Sequence, residues 1–123
     1  MLRKREERRC QVIPGMKGGA GEFRLLHIAE PSEMGDKAAV FAVGCLPPGA
    51  SVGKHRHQES MEVCCFLGGS GMVREEKAEY AVSAGDVSIC FEGGCHEVIN
   101  TGSIEMVYLA LVIKMDSKEE DGV

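Results

Sequence analysis

The chain contains no tryptophan, and aromatic residues make up only 5% of it, so large aromatic surfaces are scarce. Nor does it have an excess of positive charge. The formal net charge is −5, which leaves no electrostatic footprint for a nucleic-acid partner. Its one basic run, LRKREERR at 2–9, is interleaved with acids and reads as a solvated, frayed segment. No apolar run approaches the length of a membrane helix. The longest, MVYLALVI at 106–113, suits a buried strand, so no membrane partner is expected. The first residues are charged where a secretion signal needs an apolar region, and a cytoplasmic protein is expected. The six cysteines (10, 45, 64, 65, 90 and 95) form no CxxC pair. They are expected to be reduced thiols, mostly small core hydrophobes. Cys64 and Cys65 are neighbours that a strand would turn to opposite faces, so they do not pair with each other.

Helical periodicity is also missing. Short apolar runs alternate instead with clusters of turn formers, the pattern of an all-β domain. Candidate strands cover 23–28, 38–46, 51–57, 61–68, 71–76, 78–83, 86–91, 96–100 and 105–113. The breakers between them include PSEMGD, LPPGA, HQES, GGSG, SAGD, EGGC and NTGS. In 123 residues there is room for one domain and not for two full-sized ones. Many short strands in one domain point to a closed barrel or a sandwich, either of which limits exposed sheet edges. The reading is an irregular N-terminal arm over 1–20, a single domain over 21–115 and a flexible acidic tail over 116–123.

Two of the four histidines stand one residue apart in GASVGKHRHQESMEVCCFLGG, residues 49–69. On a strand, His55 and His57 face the same side. HQES reads as a tight turn, after which Glu62 begins the adjacent antiparallel strand and sits across from the histidine pair. Two imidazoles and a carboxylate make a partial site for a first-row transition metal; the bland reading is a set of polar residues on a strand surface. For a third nitrogen, His96 opens a strand after the turn EGGC and is the better candidate. His27 has no spacing logic and reads as a structural histidine.

Two motifs carry a resemblance. Residues 49–69 read G-x5-H-x-H-x4-E-x6-G on Gly49, His55, His57, Glu62 and Gly69. Residues 85–100 read G-x5-F-x-G-x2-H-x3-N on Gly85, Phe91, Gly93, His96 and Asn100. They resemble the two motifs of the cupin superfamily, at the short spacing of small single-domain cupins. The first matches throughout; in the second, Phe91 stands where the family usually has proline. The resemblance implies a jelly-roll β-barrel holding one divalent transition metal (Mn, Fe, Ni, Zn, Co or Cu) on His55, His57, Glu62 and His96. It implies a structural role for Asn100, turn roles for the glycines, and a homodimer. Gly69, Gly71, Gly93 and Gly94 are expected at backbone angles that other residues resist.

Alternation from Glu62 and His96 places Cys64, Phe66 and Val98 toward the metal cavity as lining residues. Cys64 reads as a packing residue rather than a fifth ligand. Lys54 and Arg56 fall on the face opposite the ligands. The resemblance implies a metal-dependent enzyme acting on a small oxygenated metabolite, by dioxygenation, decarboxylation, isomerisation or lyase chemistry. The alternative is a binding module that captures a small carboxylate or sugar without turnover, since no general base is evident.

Overall fold

Side-chain alternation along ten strands builds residues 1–116, the residues that a computed structural model of the protein describes. The strands are β1 (Cys10–Pro14), β2 (Glu22–Ala29), β3 (Ala38–Leu46), β4 (Ser51–Arg56), β5 (Ser60–Gly68), β6 (Ser70–Glu75), β7 (Glu79–Ser83), β8 (Val87–Cys90), β9 (Cys95–Ile99) and β10 (Met106–Lys114). Short 3₁₀ turns cover Arg5–Glu7, Met16–Gly18 and Pro31–Met34, and no α-helix occurs among the described residues. The strands form a six-stranded sheet in the order β1-β2-β3-β10-β5-β8 and a four-stranded sheet in the order β4-β9-β6-β7. Every pairing is antiparallel. This is the all-β jelly-roll barrel read from the sequence.

The register stacks the inner face of the larger sheet in rows. Glu62, Val112 and Val40 form one row, Cys64, Ala110 and Ala42 the next, and Phe66, Tyr108 and Gly44 the third. Tyr108 plugs the barrel, with its ring centroid 5.3 Å from that of Phe66 and 6.0 Å from that of Phe23. Gly44 makes room for both the Phe23 and Tyr108 rings: a Cβ there would meet Phe23 at 2.8 Å and Tyr108 at 3.4 Å. Of the glycines expected at unusual angles, Gly69 (φ 74°) and Gly93 (φ 86°) adopt them, whereas Gly71 and Gly94 do not. Gly71 is needed for space instead, since a Cβ would press on the Ile99 carbonyl and on the end of the Met106 side chain.

The N-terminal arm differs from expectation. Within residues 1–20, β1 pairs with β2 from Cys10↔Leu26 to Pro14↔Glu22. CQVIP carries no alternation to announce a strand; long-range partners make it one. Arg3 binds Glu33 through two hydrogen bonds, and Arg9 binds Glu30 likewise. Pro14 closes β1 at the sheet edge, where its missing N–H costs least. The chain then crosses β4 so closely that Gly19 and Gly53 leave no space for a Cβ: one at Gly19 would strike the Ser51 carbonyl, one at Gly53 the Lys17 carbonyl. Of the tail read over 116–123, residues 117–123 lie outside the described residues.

Candidate metal centre

β4 and β9 are hydrogen-bonded neighbours, and their register sets His55 directly across from His96. His57 follows the last residue of β4 and is fixed by its backbone, its N–H donating to Gly94 O at 2.9 Å and its carbonyl accepting from Gly93 N at 2.7 Å. Glu62 arrives from the opposite wall. β5 belongs to the six-stranded sheet, so β4 and β5 are not paired neighbours as the sequence suggested. The HQES turn, with Glu59 at φ 56°, carries the chain from one sheet to the other. Glu62 therefore faces the histidines across the barrel, because a tight turn at a sheet corner joins the two walls.

The four side chains converge. His96 Nε2 lies 3.1 Å from His55 Nε2, 3.1 Å from His57 Nε2 and 2.9 Å from Glu62 Oε1, and His57 Nε2 lies 3.0 Å from Glu62 Oε1. All four ligand atoms fall within 4.8 Å of one another. His57, Glu62 and His96 are buried and His55 is half-buried.

His96 Nε2 faces three polar atoms but can donate at most one hydrogen, so hydrogen bonding cannot account for all three approaches at once. A shared cation can. Ligands held at about 2.0–2.2 Å from one ion and at right angles to each other stand about 3 Å apart, and the observed separations match. The Nδ1 atom of His55 lies 2.7 Å from the Gly53 carbonyl. A carbonyl only accepts, so Nδ1 carries the hydrogen and Nε2 turns its lone pair to the cluster. His57 Nδ1 meets Ser60 Oγ at 3.1 Å.

Burial works against the charge on Glu62, but hydrogen bonds from His57 and His96 outweigh it and hold the carboxyl at about 2. The carboxylate is ionised at neutral pH, and a bound ion would replace those protons as the positive charge facing it. Burial lowers the pKa of His55, opposed by its bond to Gly53, which favours the neutral imidazole that a metal requires.

The cluster stands at one end of a cavity of about 370 Å³. Its walls include Phe23, Leu25, Val40, Val52, Val98, Tyr108, Ala110 and Val112, with Met16 and Lys17 from the arm. Of the three expected lining residues, Val98 takes that place. Cys64 and Phe66 share the inward face but are packed into the core instead, because β5 runs inward from Glu62 and the Tyr108 ring closes the cavity beside them. Burial raises the Cys64 thiol well above its usual range, so it stays protonated. Arg56 contributes to the lining, but its guanidinium is bound to the Gly93 carbonyl and lies 3.3 Å from Glu76. Lys54 is exposed. His27 stands outside the cluster, its Nε2 2.9 Å from Gln11 Oε1. Tyr108, Ala110 and Val112 were legible as one face of an alternating strand; nothing in the sequence announced Met16 and Lys17.

The family model for cupin domains, Cupin_2, matches residues 42–112. This chain belongs to the cupin family. It is 37% identical over 101 residues to an oxalate-binding protein of Thermotoga maritima, covering 82% of this cupin and 84% of the relative. A solved structure from the same organism, described as a predicted oxalate decarboxylase, superposes with a TM-score of 0.88 at 34% identity, covering 94% of this chain and all of that one. A sugar phosphate isomerase of the cupin superfamily from Silicibacter pomeroyi, with a TM-score of 0.74 at 17% identity over 94% of this cupin and 76% of its own chain, shares the fold. Among the described residues no helix is long and apolar enough to cross a membrane.

Proposed function

We propose that this cupin takes a small carboxylate into the cavity in front of one divalent transition ion, held by His55, His57, Glu62 and His96, and acts on it as a metal-dependent enzyme. The convergence of four ligand atoms on the end of a largely apolar cavity carries the reading. When bound, such an ion supplies Lewis acidity toward two oxygens of the substrate. The chain's own residues do the rest. The apolar walls keep water from the reacting end, and the hydrogen bond from His55 Nδ1 to Gly53 holds that imidazole in its ligating tautomer. Three imidazoles and a carboxylate suit Mn, Fe, Co, Ni, Cu or Zn. Similarity to an oxalate-binding protein supports a carboxylate ligand, with decarboxylation, dioxygenation, isomerisation or lyase chemistry as the reaction class.

A second reading, capture without turnover, is favoured by one observation. Beyond the four ligands, the polar groups of the lining are Lys17, Arg56, Gln58, Ser60 and Tyr108, which include no further carboxylate or imidazole to move a proton. The test incubates metal-loaded protein with oxalate, with and without O₂, and follows both binding heat and products. Oxalate consumed by the wild type but not by Glu62→Gln supports the enzyme; tight binding of unchanged oxalate supports capture. Metal content near zero, with none taken up on titration, refutes both.

Assembly as a homodimer is part of the proposal. The outer face of the six-stranded sheet carries Phe41, Val43, Leu109, Leu111, Val63 and Ile89 in register, with Leu26 and Val87 at its flanks. Among the described residues no strand layer covers it, although strands apolar on both faces belong to sheets covered on both. Six strands about 4.8 Å apart, taken over 20 Å of length, make roughly 500 Å² per protomer. Two copies thus bury about 1,000 Å², the lower bound for a specific interface.

A further inference from the structure

We infer that the ligand is larger than oxalate: a 2-oxo or 2-hydroxy carboxylate bearing an apolar body of roughly four to eight carbons. The inference rests on the proposed capture of a carboxylate at the ligand cluster and names which carboxylates the cavity selects. The cavity of about 370 Å³ corresponds to about a dozen waters at ~30 Å³ each, twice the six non-hydrogen atoms of oxalate. Its chemistry points the same way. Once two oxygens of a ligand lie against His55, His57, Glu62 and His96, the remainder faces Phe23, Val40, Val52, Val98, Tyr108 and Val112.

Among these walls a second carboxylate would find one donor, the Tyr108 hydroxyl, in exchange for its whole water shell, which is costly. Hydrocarbon placed there removes apolar surface from water on both sides. The two cations of the lining do not alter this. The Arg56 guanidinium is occupied by Gly93 O and Glu76. Lys17 is exposed, on the 3₁₀ turn where the arm crosses β4, and an ion pair with an exposed lysine is worth little.

The test is titration calorimetry of manganese-loaded protein with oxalate, pyruvate, 2-oxobutanoate, 2-oxohexanoate and 2-oxooctanoate. Affinity is expected to rise about three- to fourfold per added methylene, to pass that of oxalate, and to level off as the cavity fills. Val40→Phe, which fills the cavity two strands from Glu62, should weaken 2-oxohexanoate at least tenfold and leave pyruvate unchanged. Leu25→Trp on β2, in the row of Gly44, Tyr108 and Phe66 and three strands from Glu62, gives the same readout should the first variant fail to fold, as judged by its circular dichroism melt. Affinities independent of chain length, or oxalate as the tightest ligand, overturn the inference while leaving carboxylate capture standing. Absence of binding by every member of the series, with manganese retained, overturns both.

Discussion

Asn100 and His96 stand four residues apart in one motif and do different work. The Asn100 Nδ2 donates to Leu46 O at 2.8 Å and to Ile104 O at 2.9 Å, while its Oδ1 accepts from Gly102 N at 2.8 Å. These bonds tie the end of β3 to the loop between β9 and β10, inside the protein. With roughly 1 kcal/mol for each bond and more for stranded buried partners, Asn100→Ala is expected to cost about 3 kcal/mol in a urea titration. His96→Ala removes the nitrogen that meets all three other ligands. Metal content measured by mass spectrometry is expected to fall from about one equivalent per chain to near zero in that variant; full retention would remove His96 from the site. At the opposite end of the cavity, Gly44→Ala drives a methyl into the Phe23 ring. Overpacking of this kind costs typically 1–3 kcal/mol, readable as a lowered denaturation midpoint with metal content unchanged.

At the scale of elements, the arm is the least autonomous part. β1 has one neighbour, and its entry is fastened by Arg3–Glu33 and Arg9–Glu30. The Arg3 guanidinium, with help from a backbone bond at Glu30, holds the Glu33 carboxyl at about 2 against an ordinary 4.5. Arg9 lowers Glu30 in the same direction. Since the folded-state values lie below the unfolded ones, this fastening is fully present above pH ~4.5 and is lost as pH falls toward 2. Amide exchange in β1, corrected for intrinsic rates, is expected to accelerate across that window before the β3–β10 ladder does. Equal protection of the two ladders at every pH would contradict it. Because Met16 and Lys17 line the cavity, Gly19→Ala, which collides with the Ser51 carbonyl, should loosen the arm and weaken ligand binding without removing the metal.

At the scale of the molecule, one sheet is apolar on both faces. The inner face is filled by Tyr108, Phe66 and their neighbours; over the outer face the described residues place no strand layer. A twofold pairing makes the same patch meet itself, so one substitution counts twice. Leu109 lies centrally, between Val43 and Cys65 in the register. Light scattering at micromolar concentration is expected to give a dimer for the wild type and a monomer for Leu109→Lys, with metal content equal in both. A monomeric wild type would remove the proposed assembly.

Strand alternation, turn chemistry and the two spaced motifs made the barrel, nine of its ten strands and the four converging residues legible from the sequence, because each is written in local periods of two or in fixed offsets. What pairs with what was not written there. HQES looks the same whether it joins neighbours in one sheet or turns between two, and only the closed barrel brought Glu62 across to the histidines. CQVIP became a strand through partners far along the chain, and the arm became a cavity wall through a glycine-on-glycine crossing that no local signal encodes. Cys64 and Phe66 had the right parity, yet the depth at which β5 carries them, and the Tyr108 ring beside them, placed them in the core instead. Parity is a property of the strand; depth, distance and enclosure arise when strands from two sheets meet.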